Sequence, residues 1–347
     1  MIFKKYVLMG IKGLYKFLKE YPDLINYKTI NNFNNKKIAI DTSIVLYQVV
    51  IAIRNTGTDL KNKEGKITSH ILGLFNKTCT LLKRNIVPIY VFDGKPPLLK
   101  KDVISNRKLN RIKAEKLMRM AKTEEERIKY FKRCVHITKE QIIESKELLE
   151  LMGIPYINSI EEADTQCAYL CKNNLVYGVL TEDMDILTFG SKKILRNLSS
   201  YKNEPLELDL NNILNKLEFT MDNFIDFCIL LGCDYSSGLT DIKSNVIYKY
   251  FSETKNIEET IKLLKKNNYQ VSNFDYKDAK QYFLKNHDIV PKNENDLVLQ
   301  KPKIKELENL LVNKYGLLKN KIQNKLKFLE HNYTIESNDI DEYTLNI

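Results

Sequence analysis

Lys37-Ile38-Ala39-Ile40-Asp41-Thr42-Ser43 reads as a short β-branched strand that ends in an acid and passes into a helix. The same pattern recurs along the first two-thirds of the chain. Residues 88–92 are strand-like and are followed by Asp93. Residues 154–157 precede Glu161-Glu162-Ala163-Asp164, and residues 175–180 precede Asp183 and Asp185. Helical periodicity fills the spaces between, over 44–53, 70–82, 139–152 and 163–172, after a short amphipathic segment at 14–18. Strands alternating with helices predict an α/β fold with a mostly parallel sheet flanked by helices.

Composition excludes several classes. With 347 residues, 43% hydrophobic and 29% charged, the chain is too apolar for a disordered protein. No run approaches the ~18 uninterrupted apolar residues of a membrane span. Six cysteines in apolar, helical surroundings read as reduced thiols of an intracellular protein. Cys167 and Cys171 have no further soft ligands nearby, so no zinc site is expected. The formal net charge of +11 has two readings. Heavy use of Lys, Asn and Ile with no Trp fits a coding bias, whereas clustered positive charge fits a polyanion partner.

In an open parallel sheet, ligands bind beyond the carboxyl ends of the strands. That edge should carry Asp41, Asp93, Asp183 and Asp185. Glu162 and Asp164 open a helix there, and Asp234 follows another. Any one such acid is most simply a helix cap. Seven converging acids repel, so some must protonate or hold cations. A set of carboxylate oxygens without His or Cys suits Mg²⁺ or Mn²⁺. Asp183 and Asp185, read as strand residues two apart, should share a face. Two ions ~3.5–4 Å apart would clamp a phosphodiester without a histidine base. The four histidines, His70, His136, His287 and His331, read as structural or solvated.

Seven segments in order and spacing carry a resemblance. They are Met9-Gly-Ile-Lys-Gly-Leu14, Ile38-Ala-Ile-Asp-Thr-Ser43, Tyr90-Val-Phe-Asp-Gly-Lys-Pro-Pro97, Leu151-Met-Gly-Ile-Pro-Tyr156, Glu162-Ala-Asp164, Thr181-Glu-Asp-Met-Asp-Ile-Leu-Thr-Phe-Gly190 and Ile229-Leu-Leu-Gly-Cys-Asp-Tyr235. The chain resembles the flap endonucleases, structure-specific 5′ nucleases of the XPG type, over roughly residues 9–330. The resemblance implies a PIN-like nuclease core from 9–99 and 136–235, with a helical arch inserted at 100–135. A helical helix–two-turn–helix region that binds duplex follows at 236–330, and 331–347 is an acidic, frayed tail. It implies hydrolysis of DNA near junctions of single and double strands, with 5′ exonuclease activity, in replication and repair. Asp41, Asp93, Glu162, Asp164, Asp183, Asp185 and Asp234 fall on the family's metal acids for two Mg²⁺ ions, which Mn²⁺ can replace. The family usually has Glu where Asp164 stands, one methylene longer. Lys100 and Arg107 match the basic pair at the foot of the arch, and Tyr47 matches a tyrosine that stacks on a base. Gly10 matches a glycine close to the active site. Arg54, Arg111, Lys132, Arg133 and Lys243 are read as further DNA contacts.

Three departures stand out. Eight residues precede Met9, and translation is read as starting at Met9 rather than Met1. The family's glycine-rich duplex-binding loop is replaced by Gly238-Leu-Thr-Asp241-Ile-Lys243, which weakens duplex grip and puts its potassium site in question. The acidic end lacks a clamp-binding peptide, so no sliding-clamp contact through the tail is expected. The lean form and biased composition read as a viral or parasite copy. It is expected to act as a monomer in the nucleus or at a cytoplasmic viral replication site. Rival readings are a 5′ exonuclease or a junction or bubble nuclease of the same superfamily, an RNA-directed 5′ nuclease, and a catalytically silent nucleic-acid-binding protein.

Overall fold

The computed structural model describes residues 10–271 and 274–343, with side chains as far as 331. The choice between Met1 and Met9 falls outside the described residues. Seven strands form one sheet: β1 (Asn26–Tyr27), β2 (Lys36–Asp41), β3 (Ile86–Phe92), β4 (Tyr156–Asn158), β5 (Gly178–Leu180), β6 (Lys193–Arg196) and β7 (Leu206–Asp209). Their order is β1-β7-β6-β5-β2-β3-β4. β2 runs parallel to β5, and β5 to β6, while β7 pairs antiparallel with β6 and with β1. The sheet is therefore mixed and mostly parallel, as the alternation of elements predicts. Ile38, Ala39, Ile40, Val179, Ile194 and Leu195 are all fully buried. Strands covered on both faces carry unbroken apolar runs, which is why β2 and β5 were readable.

The chain divides into two compact units. One comprises the segments up to Asp41, Val91–Leu109 and Asn158–Pro291; the other comprises Thr42–Tyr90, Asn110–Ile157 and the chain from Lys292 onward. In the first unit, the helix Ala163–Lys172 packs on β2 and β5 and buries Cys167, Ala168, Leu170 and Cys171. The cysteines are free, in keeping with reduced thiols. Phe17, Phe227, Tyr248 and Phe251 meet edge to face, tilted or stacked at ring separations of 5.1–6.0 Å. They join the helices Leu14–Leu18, Met221–Leu231 and Ser244–Thr254.

In the second unit, the helices Thr42–Arg54, Ser69–Leu82 and Lys139–Leu151 form the core. His70 is fully buried, and its Nε2 lies 2.8 Å from Glu144 Oε2, so this histidine is structural. The stretch 100–135 folds as two helices, Lys101–Arg119 and Glu124–Phe131, the second capped by Thr123 Oγ1, which accepts from Glu126 N at 3.2 Å.

Several elements differ from expectation. β1, β6 and β7 carry no clear sequence signal, and the helix Leu210–Leu217 lies outside the expected helices although Leu210, Ile213, Leu214 and Leu217 repeat at helical spacing after the cap Asp209. β7 hides because Glu207 and Asp209 interrupt its apolar run. Glu207 is nevertheless buried, accepting from Tyr177 Oη at 2.6 Å and facing Lys193 Nζ at 3.4 Å. The helical pattern at 303–329 is broken. Ile304–Asn309 gives way to a π-helical turn, Leu310–Lys314, before the helix Lys319–Tyr343 begins. A π turn inserts an extra residue, and the buried Tyr315 follows it. Helix also continues to Tyr343, where the acidic stretch from 331 was expected to fray.

One turn sets the working edge of the first unit. After β3, Ser159 N and Oγ donate to Phe92 O at 2.9 and 2.8 Å, Gly94 N donates to Glu161 O at 2.7 Å, and Lys95 N donates to Ile160 O at 2.9 Å. A Cβ on Gly94 would lie 2.2 Å from Ser159 O and 2.3 Å from Ile160 O. Replacing Gly94 with Ala should therefore prise these segments apart. We expect a loss of about 1–3 kcal/mol in urea unfolding; unchanged stability would mean that the turn is not under this constraint.

Candidate active site

Parallel pairing brings strand ends to one edge. The register Ile40↔Leu180 makes β2 and β5 finish level. Asp41 closes β2, and Thr181 to Asp185 leave the sheet beside it. Asp183 and Asp185 are not strand residues, contrary to expectation. Asp183 lies in the loop after β5, and Asp185 is the first residue of the helix Asp185–Thr188. They converge by a turn: Thr181 Oγ1 accepts from Asp183 N at 3.0 Å, and Asp183 Oδ1 accepts from Asp185 N at 2.9 Å.

Glu162 is the N-cap residue of the helix Ala163–Lys172 and Asp164 sits in its first turn, the helix start that their spacing predicted. Asp93 Oδ1 accepts from Ala163 N at 2.9 Å, so this acid does serve as a cap, for a helix distant in sequence. Gly10 has φ +79°, and a Cβ there would lie 2.0 Å from Asp183 Oδ1. The backbone at Gly10 thus abuts the acids, as its motif implied. Lys12 N anchors this segment on Gly232 O at 2.8 Å, just before Asp234.

The acids are buried together. Asp41, Glu162, Asp164, Asp183 and Asp185 are all under a tenth exposed. Burial pushes the carboxyl of Asp164 well above its ordinary range, and the charges on Asp183 and Asp41 push it further. Asp185 is raised in the same way, by burial and then by Asp183 and Asp234. Asp183 is raised by burial, against the opposing hydrogen bond from Asp185 N.

Lys100 and Arg107 meet this charge. Lys100 Nζ lies 2.6 Å from Glu162 Oε1 and 3.5 Å from Asp234 Oδ2, and Arg107 Nη2 donates to Asp234 Oδ2 at 2.8 Å. Burial alone would lower the Lys100 ammonium. Glu162, Asp164, Asp234 and Asp185 together hold it above the ordinary lysine range. Two residues without a predicted role join them. Tyr235 Oη donates to Glu162 Oε2 at 2.6 Å, and Tyr282 Oη lies 3.1 Å from the same oxygen. Tyr235 directly follows Asp234, so its motif could have flagged it. Tyr282 is 120 residues from Glu162, and no single-sequence pattern links them.

The other expected DNA contacts do not share one setting. Arg54 is a correction: it is buried, with Nε and Nη2 on the two carboxylate oxygens of Asp59 at 2.8 and 2.9 Å, and Nη1 on Phe131 O at 2.9 Å. Its guanidinium also covers the Phe131 ring at 4.1 Å. That side chain ties down the end of the helix Glu124–Phe131 instead of facing phosphate. Tyr47 is half-buried against Val50, Ile51 and Val135. Arg111 lies 3.9 Å from Glu115, Lys132 donates to Asn55 Oδ1 at 2.9 Å, and Arg133 lies 5.8 Å over the Tyr130 ring. Lys243 is exposed at the N-cap of the helix Ser244–Thr254.

Asp164 Oδ1 and both oxygens of Asp185 are buried without a hydrogen-bond partner. Buried carboxylate oxygens of this kind suit a hard cation. Among the described residues, no group of three or more His, Cys, Asp or Glu side chains is placed so that it could hold one metal ion. Mg²⁺ does not require that, since it keeps water and takes one or two carboxylates beside substrate oxygens.

The family model for the XPG N-terminal domain matches residues 9–114, and that for the XPG I-region matches residues 153–234. Flap endonuclease 1 of Plasmodium yoelii yoelii is 42% identical, over 91% of this chain and 70% of that protein. The chain spans about half the length of some other curated relatives, 54% for Flap endonuclease 1 of Plasmodium vivax. The solved flap endonuclease-1 from Methanococcus jannaschii superposes with a TM-score of 0.68 at 33% identity, covering 89% of this chain and 97% of that one. The catalytic core of Rad2, solved with a DNA substrate, gives 0.66 at 27% identity, covering 92% of this chain and 100% of that one. An acid-lined sheet edge, the two XPG regions that span it and these matches lead to one conclusion: the chain belongs to the flap endonuclease family.

Proposed function

We propose that the chain is a Mg²⁺-dependent DNA nuclease that cuts 5′ flaps where single strand meets duplex, with 5′ exonuclease activity, in replication and repair. The observation that carries this reading is the buried carboxylate cluster with Lys100 and Arg107 seated in it, in a chain of this family. Asp41, Asp93, Glu162, Asp164, Asp183, Asp185 and Asp234 would hold two Mg²⁺, or Mn²⁺ in their place. Those ions supply Lewis acidity and an activated water.

The protein's own groups do the rest. Lys100 and Arg107 bring cationic donors to the cluster, where they offset charge that builds on the oxygens of a scissile phosphate. Lys100 Nζ also lies 5.0 Å over the Tyr235 ring, which fixes its direction. Gly10 lets backbone pass close to Asp183, and the half-exposed ring of Tyr47 stacks on a base. Arg111, Lys132, Arg133 and Lys243 contact phosphates without reading sequence. The protein acts as a monomer inside the cell, at the nucleus or a viral replication site. Potassium is no part of the proposal.

A substrate panel tests the reading. Labelled flap, blunt duplex, bubble and single-stranded DNA, with the matching RNAs, are incubated with Mg²⁺ or with EDTA. Cutting of the DNA flap at its junction, only with Mg²⁺, is expected. Equal cutting of all substrates favours a general 5′ exonuclease, bubble cutting a junction nuclease, RNA cutting an RNA-directed enzyme, and binding without cutting a silent binder.

Two variants test the site. Asp183→Ala should abolish cleavage while flap binding in Ca²⁺ stays within about twofold, because it removes a cation ligand and no phosphate donor. Lys100→Ala should slow single-turnover cleavage by about 10²–10³-fold with little change in affinity; a change confined to affinity would sink its phosphate-activating role. Mg²⁺ should also raise the melting temperature of the wild type in thermal unfolding, since it binds the folded state alone. The absence of any shift would count against a cation site.

A further inference from the structure

The acid helix Ala163–Lys172 is gripped at its start by a segment far along the chain. Lys285 Nζ lies 2.6 Å from Glu161 Oε1, and His287 Nδ1 lies 2.7 Å from Glu161 Oε2. One turn further on, the Gln166 side chain closes a two-way pair with Val290, donating to its O at 3.0 Å and accepting from its N at 2.9 Å. Between these grips, Tyr282 Oη reaches Glu162 Oε2 at 3.1 Å. Tyr282 stands on the helix Lys277–Leu284, and the segment runs on to Val290.

The aromatic packing holds this hydroxyl in place. The Tyr282 ring lies 4.4 Å from Tyr235, 6.1 Å from Phe189 and 4.8 Å from the His287 ring. Tyr282 is 5% exposed, so its hydroxyl has little access to water as an alternative partner. Glu162 thereby has one oxygen on Lys100 and the other shared by two tyrosine hydroxyls. A carboxylate held on three sides keeps its rotamer, whereas Asp164 and Asp185 retain unpartnered oxygens.

We infer that Tyr282 is a positioning residue for the nuclease reaction: with the Lys285–His287–Val290 strap, it orients Glu162 toward a divalent cation. The inference deepens the function proposed above and rests on it for the identity of the reaction. Its physical basis is general. Groups that hydrogen-bond a ligating carboxylate fix its direction and tune its grip on the ion, and their loss costs about 10–100-fold in metal affinity or activity.

Tyr282→Phe is the test, since it removes the hydroxyl and keeps the ring. Three quantities are read: the single-turnover rate on a 5′ flap against Mg²⁺ concentration, flap affinity in Ca²⁺, and the Mg²⁺ midpoint of the thermal shift without DNA. We expect the rate at low Mg²⁺ to fall about tenfold and the Mg²⁺ midpoints to rise several-fold, with flap affinity within about twofold. Excess Mg²⁺ should restore much of the rate, which a packing defect would not permit. An unchanged Mg²⁺ midpoint in both assays overturns the inference, whether or not the melting temperature drops. Lys285→Met, which keeps the aliphatic stem and removes a grip on Glu161, should move the same midpoints in the same direction, by less. If the wild type fails to cut flaps, the proposed reaction is wrong, but the DNA-free midpoint still decides whether Tyr282 positions Glu162.

Discussion

Everything at the working edge answers to the repulsion among buried carboxylates. Asp41, Glu162, Asp164, Asp183 and Asp185 leave water together. Burial first, and then the charge of their neighbours, holds the carboxyls of Asp164, Asp183 and Asp185 above their ordinary range. The fold tolerates the cluster because Lys100 and Arg107 are brought into it, and because β2 and β5 end in register under a fully apolar core. A buried pair of this kind is poor evidence of stability, since desolvation consumes most of its attraction. Its persistence here fits a site in which burial strengthens interactions with a charged substrate.

Positive charge is used in two different ways. Lys100 is buried among acids, while Arg54 is buried against a single acid, Asp59, and the Phe131 ring. The first arrangement can be reorganised by a ligand, because several carboxylates compete for one ammonium. The second is closed, because a planar guanidinium meets one carboxylate with two parallel bonds. The net charge of +11 therefore does not report phosphate-binding capacity residue by residue. Arg54 shows that a buried arginine can be spent on architecture.

Legibility followed the physics of each element. β2 and β3 were readable because strands buried on both faces need unbroken apolar runs, and the helix Ala163–Lys172 because its apolar face repeats. β6 and β7 were not, because Lys193, Glu207 and Asp209 satisfy one another across the ladder and break the pattern. The seven acids stand out in the sequence because each follows a strand or opens or follows a helix within a recognisable motif. Their local conformation was less legible: Asp183 and Asp185 share a turn built on Thr181, not a strand face. Tyr282 lay beyond reach because its contact with Glu162 is purely tertiary.

The two sides of the acid cluster differ in how firmly they are held. Glu162 is restrained at both oxygens, by Lys100 on one and by Tyr235 and Tyr282 on the other. Asp164, which is one methylene shorter than the family's usual Glu, leaves Oδ1 buried and unpartnered, and both Asp185 oxygens are in the same state. A buried oxygen without a donor costs about 1–3 kcal/mol or more when charged, so these positions gain most from a cation or from water that a cation orders. In the function proposed above, the longer, restrained carboxylate would set direction, while the shorter, unrestrained ones would supply the drive to bind. On this account the Asp at 164 need not weaken the site. A hard cation held here would keep part of its own water shell, so a shorter carboxylate could serve it through water.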